Sequence, residues 1–385
     1  MISIIIWRGL KCEHLTYKAN STLLFDLFGS SAFQFSNDGP VFSYESPKHR
    51  SREHFKAHPC KGARLCHSLF LLSGYVISAT VDRKKDQTLK EYALDRMARV
   101  YSVAIPALLL SLLLALIFSQ PMIEFGKIVC NFFFLGQVGF KQIYPFFNDP
   151  YWSLCYEVMY YIGFGCFIFL TGYMRIFSLL FFILIAGPKV LLLMPCWLLG
   201  VLIYHCRDKI TLKFSHALIV ATLVPILIAL LCHVISLDNL TNSFTKQLFG
   251  EYYQRLGFSN GFLIDYTRAI IIAINLYAMR FLVIKWPSPI ELFITKAASM
   301  SFTLYLMHMP MLSLIRNSMP REQRGVTVCI IGTISIPILC YLISLITEAR
   351  RLQLRGIFDV WISFFKFGRQ YQIRTGDLLD VDQAL

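Results

Sequence analysis

The stretch Tyr151-Trp152-Ser153-Leu154-Cys155-Tyr156-Glu157-Val158-Met159-Tyr160-Tyr161-Ile162-Gly163-Phe164 decides the fold class of this chain. It is apolar and aromatic enough to read as a membrane-spanning helix, yet it carries a carboxylate. At about 1.5 Å of rise per residue, Glu157 lies roughly 9 Å inward from Tyr151, within the hydrocarbon layer if the span begins there. An ionisable group at that depth marks a functional site by default; the plainer reading is a helix-helix tether or a structural ion pair.

Outward from this stretch, composition agrees. Of 385 residues, 56% are hydrophobic and only 16% charged, more apolar surface than a single soluble core buries. The net charge of +14 does not indicate nucleic acid, because Lys and Arg fall mainly between apolar runs, as in the cytoplasmic loops of a polytopic protein. The expected partner is the lipid bilayer. Most cysteines (Cys130, Cys155, Cys166, Cys196, Cys232, Cys329 and Cys340) sit singly in apolar runs, so neither a disulfide framework nor a metal site is expected.

Apolar runs occupy 68–81, 100–119, 125–140, 151–170, 175–187, 189–205, 214–236, 265–284, 297–315 and 326–347. Several have spanning length, and Pro188 separates two neighbouring helices or kinks one. These runs predict an all-α polytopic membrane helix bundle of about nine or ten transmembrane helices. The cluster Asp82-Arg83-Lys84-Lys85, with Lys90, Arg96 and Arg99 behind it, belongs in the cytoplasm, and the span from Val100 runs outward. Three regions result: an atypical polar N-terminal region (1–67), a transmembrane domain (68–347) and a basic, amphipathic C-terminal tail (348–385). In that tail, Trp361, Phe364, Phe365 and Phe367 with Lys366 and Arg369 suit either headgroup contact or disorder. The start Ile2-Ser3-Ile4-Ile5-Ile6-Trp7 lacks the marks of a secretory signal.

Three groupings carry candidate chemistry. Ser153 and Glu157 are spaced i, i+4 and Tyr160 follows at i+3, so hydroxyl, carboxylate and phenol are expected on one face turned into the bundle. Such a Glu accepts hydrogen bonds, orients a histidine, or acts as acid or base. Arg96 and Arg99 stand i, i+3 at a cytoplasmic mouth, where a guanidinium pair suits phosphate; ordinary anchoring of a span end is the alternative. Tyr305 and His308 are i, i+3 neighbours ahead of Pro310, and a lone histidine there is as readily a packed residue as a functional one. Gly74 permits close helix approach.

Together, Phe70-Leu71-Leu72-Ser73-Gly74-Tyr75-Val76-Ile77-Ser78, Arg96-x-x-Arg99, Pro150-Tyr151-Trp152-Ser153-Leu154-x-x-Glu157-x-x-Tyr160-Tyr161 and Ser301-Phe302-x-Leu304-Tyr305-Leu306-x-His308-x-Pro310 come in the order and rough spacing of the acyltransferase 3 family. The chain resembles these integral-membrane O-acyltransferases over about residues 68–347. The resemblance implies about ten helices and transfer of an acyl group, commonly acetyl, from cytoplasmic acyl-CoA to a hydroxyl of a carbohydrate or lipid-linked glycan. It implies acyl-CoA as donor substrate with no bound cofactor, and the expected location is the bacterial inner (plasma) membrane. Glu157, Ser153 and His308 become the catalytic candidates. Arg96, Arg99, Trp152, Tyr160 and Tyr305 become the substrate-binding ones.

One departure bears on activity. The family's first span carries an arginine and, eleven positions on, a histidine base; these would fall near Gly29 and Pro40, and neither is present. From Gly29 to about Cys66 polar sequence replaces the expected apolar helix, and the abrupt loss and recovery suggest a disrupted reading frame or an incorrect gene model. His49, His54, His58 and His67 do not sit on a plausible span. The expected enzyme is therefore feeble or inactive. A proton-coupled multi-pass transporter or flippase using Glu157 and His308 is the alternative class, although no pair of matching broken helices suggests inverted repeats. A non-catalytic membrane subunit is a further one.

Overall fold

The computed structural model describes residues 66–118, 121–282, 287–320, 326–348, 350–361 and 363. The polar region 29–66, with His49, His54 and His58, lies outside them except for Cys66, as do the side chain of His67 and the tail from 364 onward. Among the described residues every regular element is helical. We number the α-helices α1 Cys66–Arg83, α2 Leu89–Ile117, α3 Pro121–Phe132, α4 Tyr151–Phe169, α5 Gly172–His205, α6 Phe214–Val234, α7 Leu237–Phe249, α8 Phe262–Met279, α9 Ser288–Ser299, α10 Ser301–Ser318, α11 Val326–Thr347 and α12 351–361.

Six helical segments are long and apolar enough to cross a bilayer, seven if the α9–α10 pair, bent by 57°, is one span. The sequence expectation of nine or ten is higher for identifiable reasons. The run 125–140 stops as a helix at Phe132 and continues as a 3₁₀ turn and loop. The runs 175–187 and 189–205 are the two limbs of the 34-residue element α5, broken at Gly187 where φ is +73°, and that element counts once among the six. Straight, it would extend about 51 Å, well past a hydrocarbon core of about 30 Å. Both its ends lie at one face: Phe169, just ahead of it, packs on Tyr92, and Tyr204 near its end hydrogen-bonds Asp82 at 2.6 Å. The helix therefore doubles back at Gly187.

That face also gathers Arg207 against Asp82, Arg280 against Asp208, and Arg355 against Asp95. Such a gathering of basic residues is the pattern that the positive-inside rule associates with a cytoplasmic face. Here α2 starts with a reciprocal cap: Thr88 Oγ1 accepts from the Glu91 amide and Glu91 Oε2 accepts from the Thr88 amide. Large apolar side chains such as Phe181, Leu184, Leu227 and Leu230 point outward, a surface suited to lipid and not to water.

Because lipid tails are as apolar as leucine, helices in a bilayer associate through close packing. Gly74 and Gly200 supply it. A Cβ on Gly200 would run into the Leu71 carbonyl, and one on Gly74 into the Trp197 carbonyl, so α1 and the second limb of α5 touch backbone to backbone. Next to this seam Phe70, Trp152, Tyr156, Tyr160 and Trp197 form a buried ring cluster with mostly edge-on contacts. Each such contact contributes about 0.5–1.5 kcal/mol beyond burial.

Candidate active site

Helix α4 separates two environments. One face enters the ring cluster; the other lines a cavity between α1, α2, α4 and α10. Ser73 comes from α1, Arg96 and Arg99 from α2, Ser153, Glu157 and Tyr161 from α4, and Tyr305 with Phe302 from α10. Its volume is about 30 Å³, room for one or two waters, so a substrate entering here must part the helices.

Glu157 anchors the cavity. Ser73 Oγ donates to its Oε1 at 2.6 Å, and the Tyr161 hydroxyl donates to the same oxygen. Ser73 and Tyr161 are also 3.1 Å apart, and Trp197 Nε1 reaches Ser73 Oγ at 3.4 Å. The carboxylate thus ends a hydroxyl network drawn from α1, α4 and α5. Arg96 packs against the rings of Tyr92 and Tyr161 at 5.9 and 5.8 Å, and its buried Nε has no hydrogen-bond partner. Neither Arg96 nor Arg99 is ion-paired with a carboxylate among the described residues. Two guanidinium groups at a cavity, one with an orphaned buried donor, have the chemistry that suits an anion.

Ser153 lies in the same cavity but turns from Glu157. Its Oγ donates to the Pro150 carbonyl at 3.0 Å and lies 2.5 Å from the Tyr305 hydroxyl, which also contacts that carbonyl. The structure thus brings together five of the sequence candidates: Arg96, Arg99, Ser153, Glu157 and Tyr305. Three others sit elsewhere. Tyr160 is fully buried in the ring cluster and donates to the Val190 carbonyl at 2.8 Å. Trp152 stacks on Phe258 at 4.7 Å. His308 points Nδ1 at the carbonyls of Tyr305 and Leu304 in its own helix, at 2.7 and 3.2 Å.

Ser73 and Tyr161 are not among the sequence candidates, although Tyr161 carries a readable signal. It stands at i+4 from Glu157, the spacing that brings helical side chains together as well as i+3 does. Ser73 lies within the quoted Phe70–Ser78 motif, but only a tertiary contact reveals its role.

A second buried charge, Lys189, follows the Gly187 break and is fully buried. Its ammonium donates to Gln137 Oε1 at 3.1 Å and to the Lys141 carbonyl. Its own carbonyl accepts from Ser259, whose Oγ lies 3.0 Å from the Tyr156 hydroxyl. Just ahead of α4, burial raises the Asp149 carboxyl above the ordinary carboxylate range.

No group of three or more His, Cys, Asp or Glu suited to a metal occurs among the described residues. A family model described as an acyltransferase domain matches residues 67–345. No curated protein and no solved structure matches the chain.

Proposed function

This chain belongs to the acyltransferase 3 family of integral-membrane proteins, and we propose that it transfers an acyl group, acetyl in the simplest case, from cytoplasmic acyl-CoA to a hydroxyl of a carbohydrate or lipid-linked glycan. The observation that carries this reading is the cavity in which Arg96 and Arg99 stand across from the hydrogen-bonded Glu157. The proposed membrane is the bacterial inner membrane.

In the proposed reaction, Arg96 and Arg99 hold the phosphate-bearing donor by charge-assisted hydrogen bonds at the cytoplasmic side. Glu157 takes the proton of the acceptor hydroxyl, whose oxygen bonds to the thioester carbonyl carbon. The carbon–sulfur bond then breaks, and the CoA thiolate leaves and takes up a proton. Tyr161 and Ser73, already donating to Glu157, fix the carboxylate oxygen and offer a route by which that proton returns to solvent. Tyr305 and Ser153 provide hydroxyls for orienting the acceptor.

No histidine lines the cavity among the described residues, and His308 makes no hydrogen bond to Glu157 there. A carboxylate is the base at hand. Since a well-placed general base supplies about 10²–10⁴-fold, the proposed activity lies below that of relatives carrying the first-helix histidine by up to that factor. The separation of His308 from Glu157 also withdraws the support that a proton-relay transporter would have drawn from this pair.

The test is purified protein in lipid nanodiscs with labelled acetyl-CoA and a polysaccharide or lipid-linked glycan acceptor. Protein-dependent acyl transfer that falls on Glu157→Gln or Arg99→Ala supports the reading. Transfer indifferent to both substitutions would sink it.

A further inference from the structure

Asp95 and Arg99 stand i, i+4 on α2, with the acid on the N-terminal side, the order in which helical ion pairs form most readily. Such a pair would close one guanidinium of the cavity with a carboxylate of the same helix. The structure has a different arrangement. Asp95 Oδ2 takes the Lys84 ammonium at 2.5 Å and the Gln87 side-chain amide at 2.9 Å. Its other oxygen, Oδ1, lies 2.8 Å from Nε of Arg355, an ion-pair contact off hydrogen-bonding geometry, since that Nε donates to no acceptor among the described residues. Both carboxylate oxygens are engaged, the side chain is only 15% exposed, and Arg99 is left to the cavity.

Arg355 comes from α12, outside the segment that the family model matches. This helix is held across the start of α2 by two further contacts: Asp359 pairs with Lys90 at 2.5 Å, and Phe358 packs on Tyr101 with ring centroids 5.7 Å apart. Three contacts therefore fix α12 along the first turns of the helix that carries Arg96 and Arg99. Charge is conserved in the arrangement. Every cation spent on Asp95 comes from outside the cavity, so the positive charge within it stays uncancelled.

We infer that Arg355, with Lys84, is a positioning residue that sequesters Asp95 and thereby keeps Arg99 open to an anionic donor. The inference rests on the proposed function only in taking Arg96 and Arg99 as the anion site. It adds that the C-terminal helix governs how strongly the donor binds without touching it. When Arg355 is removed, the nearest cation available to Asp95 on its own helix is Arg99, and donor affinity falls.

The experiment uses the full chain in nanodiscs and equilibrium binding of CoA itself, for the wild type and Arg99→Ala, Arg355→Ala, Asp95→Asn and the double variant Arg355→Ala/Asp95→Asn. Arg355→Ala is expected to weaken CoA binding about fivefold, near the upper end for a solvent-facing ion pair. The double variant is expected to bind like the wild type, because an amide does not compete for Arg99. A merely structural role for Arg355 would not be rescued by a second substitution. If Arg99→Ala weakens binding but Arg355→Ala does not, or if Asp95→Asn fails to restore it, the positioning role is overturned while the anion site stands. If Arg99→Ala leaves CoA binding unchanged, the anion site itself fails and the inference falls with it.

Discussion

Glu157 and Lys189 are both ionisable residues inside the helix bundle, one on α4 and one at the turn of α5 that packs on the loop ahead of α4, yet they differ in every respect that matters for chemistry. Glu157 faces a cavity, accepts from two hydroxyls and looks toward guanidinium groups that have no carboxylate partner among the described residues. Lys189 is fully enclosed, and its ammonium is taken up by an amide oxygen and a backbone carbonyl of the loop ahead of α4. Enclosure alone therefore does not suit a charge to chemistry. A charge satisfied by fixed backbone and amide acceptors, with no space beside it, ties a loop to a helix. One that meets side-chain hydroxyls at the edge of a small cavity is placed to meet a substrate once the helices part.

The sharpest way to break this contrast is Glu157→Gln. Acyl transfer should fall about 10²–10⁴-fold, read as initial rate per folded protein, while thermal stability changes little. Next, Arg99→Ala should raise the Kd for CoA about 10–100-fold, the loss of one charged hydrogen-bonding group, with a smaller salt dependence of binding. Third, Gly200→Ala should destabilise by about 1–3 kcal/mol, because the new methyl meets backbone and not a yielding side chain. It tests whether Glu157 depends on the seam that carries Ser73. Fourth, Lys189→Met should cost about 1–2 kcal/mol, leaving Gln137 Oε1 and the Lys141 carbonyl unpaired, yet preserve turnover per folded molecule. An activity loss as deep as that of Glu157→Gln would erase the distinction between the two charges.

The smallest effect concerns Asp149. Its folded-state carboxyl titrates above its unfolded value, so the group favours the fold when protonated, and that contribution is lost as pH rises through the folded value. Asp149→Asn should therefore raise Tm by about 1–2 °C at pH 7, a gain that shrinks as pH falls and vanishes below pH ~3, where the wild-type carboxyl is protonated in both states.

Much of this was readable before the structure. The depth of Glu157 and the spacing of Arg96 and Arg99 both follow from helical period and polarity, and the cavity unites them. Period 3.6 places i+3 and i+4 on one face but does not choose between them. Tyr160 and Tyr161 were therefore separable only by packing, which sends Tyr160 into the rings and Tyr161 to the carboxylate. Lys189 fell between two apolar runs, where a lysine reads as the edge of a span. The break that buries it depends on Gly187 adopting a positive φ against Gly139 of a distant loop. The link from Thr303 to Glu348 spans 45 residues and leaves no local signature.

The close backbone approaches at Gly74 and Gly200 have a mechanical consequence for the cavity. Two helices in backbone contact have no side chains between them to rearrange, so the wall that carries Ser73 behaves as a door frame. The opposite wall carries Phe302 and Tyr305 within two turns of the bend between α9 and α10. A door hung on that bend would admit a thioester while the frame holds the carboxylate's hydroxyl partner in place.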